Sequence, residues 1–244
     1  MSKLSVNSRR QFVGGAAAAG GSLILSACSK SVDTAAKQQA APAKKDAGEE
    51  EGVSPAEDLM REHGVLKRIL LIYREGIRRI DSKEDFSPDV LASSANLIRR
   101  FIEEYHEKLE EEYLFPRFRK AGTLVELVDV LEEQHKRGRV LTEMILHFSS
   151  PPAFKNPQIR LKLRDVLQRF VRMYEPHEAR EDTILFPAFR KLVSAQEYAT
   201  LGEDFENKEH QLFGEEGFEK NVEEVAGIEK SLGIYDLAQF TPSV

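Results

Sequence analysis

Four histidines and two glutamates repeat one arrangement along this chain. His63 precedes His106-Glu107-Lys108-Leu109-Glu110, and His135 precedes His177-Glu178-Ala179-Arg180-Glu181. The offset is 72 from His63 to His135, and 71 both from His106 to His177 and from Glu110 to Glu181. Residues four apart on a helix are neighbours on its surface, so each His-x-x-x-Glu pair offers an imidazole and a carboxylate to the same side. One such pair, or one histidine in an apolar stripe, is commonly a core group satisfied by a hydrogen bond. Six polar groups facing one interior are a different matter, because each left unsatisfied costs on the order of 1 to 3 kcal/mol, and more for a carboxylate. Two divalent metal ions satisfy all six together: four neutral imidazoles bind through one nitrogen each, and two carboxylates bridge and offset charge. The expected metal ligands are His63, His106, Glu110, His135, His177 and Glu181.

Helices must position them. Ser54-Pro55-Ala56-Glu57 offers an N-cap serine, a proline at the first helical position and a glutamate at the third, and Thr123 with Glu126 and Ser194 with Glu197 repeat the capping-box spacing. Ser87-Pro88 and Asn156-Pro157 mark two more starts. The punctuation predicts helices near 55 to 80, 88 to 119, 124 to 149, 157 to 193, 195 to 213 and 217 to 232. In the first, Leu59, His63, Leu66, Leu70, Tyr73 and Ile77 step by four and three, the spacing of a bundle seam; Leu124, Val128, Leu131, His135, Thr142 and Ile145 do the same in the third. One helix pair has been repeated, which predicts an all-α, up-down four-helix bundle over 54 to 193 with approximate twofold symmetry, followed by a helical extension over 194 to 244.

The order His, His-x-x-x-Glu, His, His-x-x-x-Glu on four antiparallel helices resembles the hemerythrin-like HHE cation-binding domain, over roughly residues 55 to 193. The resemblance implies a non-haem centre of two Fe ions with carboxylate and oxo or hydroxo bridges, held by the six residues above. The ligand types would also accept Zn or Mn. Oxygen-carrying hemerythrins place a second histidine one turn after the one on the third helix and an aspartate on the fourth; here those positions are Arg139 and Glu181. Four histidines and two glutamates are instead similar to the domains of bacterial iron-centre repair proteins. This departure argues against reversible oxygen carriage and implies more open coordination positions. Ferritin-like di-iron proteins use Glu-x-x-His pairs and mostly carboxylates, so the poorer carboxylate set favours binding or sensing over oxidase chemistry.

Other polar residues near the pattern have plainer expectations. Glu107 and Glu178 directly follow ligand histidines, an arrangement similar to the iron-sensing F-box hemerythrin domain. One residue on is about 100° round a helix, so they are expected on a solvated face. Tyr105 and Tyr174 are expected as core tyrosines with hydroxyls near the site. Pro176 should kink the helix that carries His177. His147 is expected at the surface. His210 lies off the Leu201 and Phe205 stripe, with an extra-ligand role as the lesser reading. The last helix carries Phe218, Val222, Val225 and Leu232 on one face, which must pack on the bundle or on a partner.

Composition closes several branches. A single cysteine, Cys28, cannot form an intrachain disulfide, a four-cysteine zinc site or an iron-sulfur cluster. With 41 acidic against 35 basic side chains, a net charge of −6 and no basic block longer than two residues, the chain is not expected to bind nucleic acid. The N-terminus reads as an address. Lys3, Arg9 and Arg10 precede an apolar run from Val13 to Ala27, too short to cross a bilayer, which takes roughly 20 residues. Ser8-Arg9-Arg10-Gln11-Phe12-Val13 resembles a twin-arginine export signal, and Leu25-Ser26-Ala27-Cys28 resembles a lipoprotein lipobox. Together they imply a signal over 1 to 27 and lipidation of Cys28, which places the protein outside the cytoplasm on a membrane. Residues 29 to 53 contain no Leu, Ile, Phe, Met or Tyr and read, from 28 to 53, as a flexible tether.

The expected function is a lipid-anchored, extracytoplasmic di-iron protein that binds or senses O2, NO or iron. The alternatives are a di-iron oxidase, peroxidase or NO-reducing enzyme, and a metal-free helical interaction protein.

Overall fold

The structure, a computed structural model, describes residues 53 to 244. The signal, Cys28 and nearly all of the expected tether lie outside the described residues. Among those described there is no strand. Helix α1 is Pro55–Ser82, α2 spans residues 89 to 121, α3 is Val125–Phe148, α4 is the single turn Pro151–Phe154, α5 spans residues 157 to 192, α6 is Ala195–Phe213 and α7 is Gly217–Leu232. A 3₁₀ turn, Leu237–Phe240, follows. None of these helices is long and apolar enough to cross a membrane.

The caps act largely as their residue types dictate. Ser54 accepts from the Glu57 amide at 3.3 Å, Ser194 from the Glu197 amide at 3.1 Å, and Asn156 from the Gln158 amide at 2.9 Å. Thr123 does not cap α3. The chain leaves α2 through Gly122 at φ 64°, with the Thr123 amide closing on the Phe118 carbonyl at 3.1 Å. That turn carries Leu124 to φ 53°, so Leu124 takes the cap position without a side-chain bond and lays its own side chain against the core.

Four helices close a ring: α1 packs on α2, α2 on α3, α3 on α5 and α5 on α1. Their inner faces supply a continuous core that includes Leu59, Leu66 and Tyr73 from α1, Phe101 and Leu109 from α2, Val128 and Leu131 from α3, and Leu167 and Phe170 from α5. Each such Leu or Phe contributes about 1.5 to 3 kcal/mol by leaving water. The extension covers one side of this ring. Helices α6 and α7 pack on each other and on α1, and α7 also packs on α2. Phe218, Val222, Val225 and Leu232 thus meet the bundle, and Arg68 fastens α7 through both Glu229 oxygens, at 3.1 and 2.6 Å.

Two of the long helices are not α-helical throughout. In α2 the stretches Ile98–His106 and Glu110–Leu114 are π-helical, as is Glu181–Leu185 in α5. The Phe115 amide donates to the Glu110 carbonyl and the Phe186 amide to the Glu181 carbonyl, each five residues back. Pro116 and Pro187 come next in the chain, and a proline has no amide proton to continue the ordinary ladder and clashes with the carbonyl four back. The widened turn takes up that defect. Pro176, expected to kink α5, lies inside an uninterrupted α-helical run, Pro157–Arg180; the departure from α geometry comes later, before Pro187.

Candidate metal centre

Helices α1, α2, α3 and α5 bring all six expected residues into one buried layer. His63, His106, Glu110, His135, His177 and Glu181 are each at most 4% exposed. His63, His106 and Glu110 form one group whose potential ligand atoms lie within 4.8 Å of one another, and His135, His177 and Glu181 form a second. The two groups interlock. Glu110 Oε2 is 3.8 Å from His106 Nε2 and 3.4 Å from His135 Nε2, while Glu181 is 3.1 Å from His177 Nε2, 3.3 Å from His63 Nε2 and 4.0 Å from His135 Nε2. Each carboxylate therefore faces imidazoles of both groups.

The four imidazoles are oriented alike. Each Nε2 points inward at these carboxylates, and each Nδ1 meets an acceptor behind it. Asp182 Oδ1 is 2.7 Å from His63 Nδ1, Glu62 Oε2 is 2.8 Å from His106 Nδ1, Glu111 Oε1 is 3.1 Å from His135 Nδ1 and Gln134 Oε1 is 2.9 Å from His177 Nδ1. With Nδ1–H donating outward, the Nε2 lone pair is left for a cation, which is how metal-binding histidines are usually held. Sequence reasoning missed these four acceptors. The signal was the repeat itself: Glu62 and Gln134 each precede a lone histidine, and Glu111 and Asp182 each follow a glutamate of the pattern. The same register extends further out. Lys67, four residues after His63, donates to Asp182 at 3.0 Å, and Arg139, four after His135, donates to Glu111 at 2.6 Å. Phe186 stacks on His63 and Phe115 on His135, both at 5.5 Å between ring centroids.

Electrostatics show what this layer requires. Burial pushes the Glu110 carboxyl well up, and the neighbouring Glu181 charge adds to it. Burial opposes charge at Glu181 too, but His177 beside it outweighs that and holds the carboxylate well below the usual range. Burial likewise opposes charge on His63, yet Asp182 and Glu181 raise the imidazole to about 9. Burial and the charge on His63 push His106 well down. Both oxygens of Glu110 and of Glu181 are buried without a hydrogen-bond partner. Two facing carboxylates with four orphaned oxygens, ringed by inward-pointing imidazole nitrogens, fit a pair of cations, and the donor set of nitrogen and carboxylate suits iron, zinc or manganese.

A second polar layer lies beside the first. Glu107 and Glu178, expected on a solvated face, are buried, at 1% and 3% exposure. A bundle helix packs against two neighbours, so a residue 100° from the site faces a helix seam rather than water. Glu107 accepts from Tyr174 Oη at 2.8 Å and from Arg139 at 2.7 Å. Gly138 makes room for this contact, since a Cβ there would lie 1.9 Å from Tyr174 Oη. Burial pushes the Glu178 carboxyl up to about 7. Tyr105 is a core tyrosine, in edge contact with Phe213 at 5.5 Å. His147 is exposed and His210 half-buried, and neither belongs to the groups that could hold a metal ion among the described residues. Asp58, Glu62 and Glu209 form one more buried carboxylate group.

The hemerythrin HHE cation-binding domain matches residues 54 to 150, which hold His63, His106, Glu110 and His135; His177 and Glu181 lie in the repeated half beyond that match. An uncharacterised protein of Mycobacterium bovis is 50% identical over 235 residues, covering 96% of this chain and 91% of its own. Uncharacterised proteins of two Mycobacterium tuberculosis strains match to the same extent. No solved structure matches the chain. Over residues 54 to 150 the chain thus carries a domain that matches the hemerythrin HHE cation-binding family, and its buried His/Glu groups could hold a metal ion.

Proposed function

We propose that this is a non-haem di-iron protein that binds or senses O2, NO or iron, tethered outside the cytoplasm through lipid on Cys28. One observation carries the metal reading: four Nε2 atoms and four partnerless carboxylate oxygens converge, while every Nδ1 is already engaged. His63, His106, His135 and His177 would each give one nitrogen, and Glu110 and Glu181 their carboxylates. Two irons held by these residues would supply Lewis-acid and redox chemistry toward a small ligand. The chain's own part is to fix the imidazole tautomers through Asp182, Glu62, Glu111 and Gln134, and to hold the His63 and His135 rings by stacking with Phe186 and Phe115.

Binding is favoured over turnover because only two carboxylates face the metals. The localisation rests on the twin-arginine and lipobox resemblances. Protein purified without oxygen from its native host is expected to carry about two irons per chain, the number that six such ligands hold in a bundle core. The iron should be lost in the His106→Ala, His177→Ala double variant. Exposure to O2 or NO in a stopped-flow spectrometer should give an adduct that reverses when the gas is removed. Iron-free native protein would end the metal reading, and sustained consumption of the gas with an electron donor would replace binding by catalysis.

A further inference from the structure

Both halves of the centre place an acceptor behind each imidazole, but one of the four acceptors carries no charge. Behind His63 and His135 stand carboxylates, Asp182 and Glu111, each steadied by a base, Lys67 and Arg139. Behind His106 stands a carboxylate, Glu62, but behind His177 the equivalent residue is the neutral amide of Gln134. The extension deepens this difference. Helices α6 and α7 pack on α1, and Glu62 on that helix is 0% exposed, whereas Gln134 on α3 remains half-buried. Glu62 also lies within 4.8 Å of carboxylate oxygens of Asp58 and Glu209, the latter contributed by α6. The repeat position of Asp58 on α3 is Val130, which is 53% exposed.

We infer that the two metal positions are unequal: the position formed with His63 and His106 binds its ion more tightly and fills first, and the position formed with His135 and His177 is the weaker, exchangeable one. A carboxylate accepting from Nδ1–H makes the opposite nitrogen a stronger donor, and it adds negative charge close to the ion. A buried carboxylate does both with little screening, because the field of a charge is stronger where water is excluded. An amide accepting the same bond orients the ring equally well and adds no net charge. The asymmetry would let the protein keep one ion while the other responds to supply, so that a chain of nearly symmetric ligands reports metal availability in one half only.

This inference rests on the reading that the six residues hold two metal ions. It is tested on the full-length, metal-free protein by calorimetric titration with Zn(II), followed by metal analysis after stepwise chelation. The wild type is expected to bind two ions with constants about 10-fold or more apart, the range over which outer partners of a metal ligand act. Gln134→Glu, at a half-buried position, should tighten the second ion about 10-fold and close most of the gap. Glu62→Gln should weaken the first ion by a similar factor. Two ions of equal affinity in the wild type, or a gap unchanged in both variants, overturns the inference while leaving the metal centre intact. No Zn(II) binding by the wild type overturns the metal centre itself, and the inference with it.

Discussion

Arg139 donates to Glu111 at 2.6 Å, and the same Glu111 oxygen accepts from His135 Nδ1 at 3.1 Å. This gives the basic residue one turn after His135 a role: Arg139 steadies the acceptor of a candidate ligand rather than facing the candidate site itself. Burial opposes charge on Glu111, but His135, Lys108 and Arg139 hold its carboxylate at about 2, so it remains an acceptor under all ordinary conditions. Replacing Glu111 or its repeat partner Asp182 by alanine is expected to lower metal affinity about 10- to 100-fold with the fold retained. Competition with a chelator of known affinity, beside a circular-dichroism spectrum, measures both.

Metal removal should cost stability. An ion that binds the native but not the unfolded chain stabilises by about 2.7 kcal/mol at a free concentration 100 times its Kd. Chelation is thus expected to lower the Tm of the wild type and to leave that of His106→Ala, His177→Ala unchanged. Equal Tm values for loaded and chelated wild type would mark the polar layer as metal-free.

The contact between Gly138 and Tyr174 predicts an unfavourable Gly-to-Ala change within a helix. Alanine normally gains about 1 kcal/mol over glycine there. A Cβ 1.9 Å from Tyr174 Oη would instead force the ring aside and cost about 1 to 3 kcal/mol. In a Tyr174→Phe background the cost of Gly138→Ala should be smaller but not vanish, because the ring carbon Cζ would still lie 2.8 Å from the Cβ. Urea unfolding of the four proteins of this cycle gives the coupling directly.

Glu103 sets a pH dependence away from the metal ligands. Burial is the main cause that raises its carboxyl to about 7, and the nearby Glu107 charge adds to it while Arg139 and Arg99 oppose. A carboxyl with a folded pKa above its unfolded value binds its proton more tightly in the native state, so its contribution is present below about 4.5 and is lost as pH rises through about 7. Glu103→Gln should therefore gain stability over the wild type by about 1 to 3 kcal/mol at pH 8 and by little at pH 4.5. Denaturant midpoints at the two pH values decide it, and a gain confined to low pH would contradict the assignment.

For the tether, Cys28→Ser is expected to abolish incorporation of labelled palmitate and to release the protein from the membrane fraction. Replacing Arg9 and Arg10 by lysine should leave it in the cytoplasm. Unaltered fractionation in both variants would remove the lipid anchor from the proposed function.

The helices and six central residues were legible in the sequence because they depend on local periodicity and on an internal repeat. Stripes stepping by three and four mark buried faces, Ser54 and Ser194 announce helix starts, and offsets of 71 and 72 align one half of the centre with the other. Local spacing also carried the expectations that went wrong. A single helix wheel puts Glu107 and Glu178 100° from the ligands and hence in water, but each helix of the bundle is flanked on two sides, so both are buried. Thr123 has a cap's spacing, yet the turn through Gly122 hands the position to Leu124. What only tertiary structure decided is pairing between helices: Glu62 of α1 behind His106 of α2, Gln134 of α3 behind His177 of α5, and α6 and α7 laid on α1. Those contacts join residues 43 or 44 positions apart, or far more across the extension, at distances no periodicity encodes. The sequence alone determined a nearly symmetric set of candidate ligands and the residue types Glu62 and Gln134; the folded chain set these two behind His106 and His177 and, by laying α6 and α7 on α1, buried the first more deeply than the second.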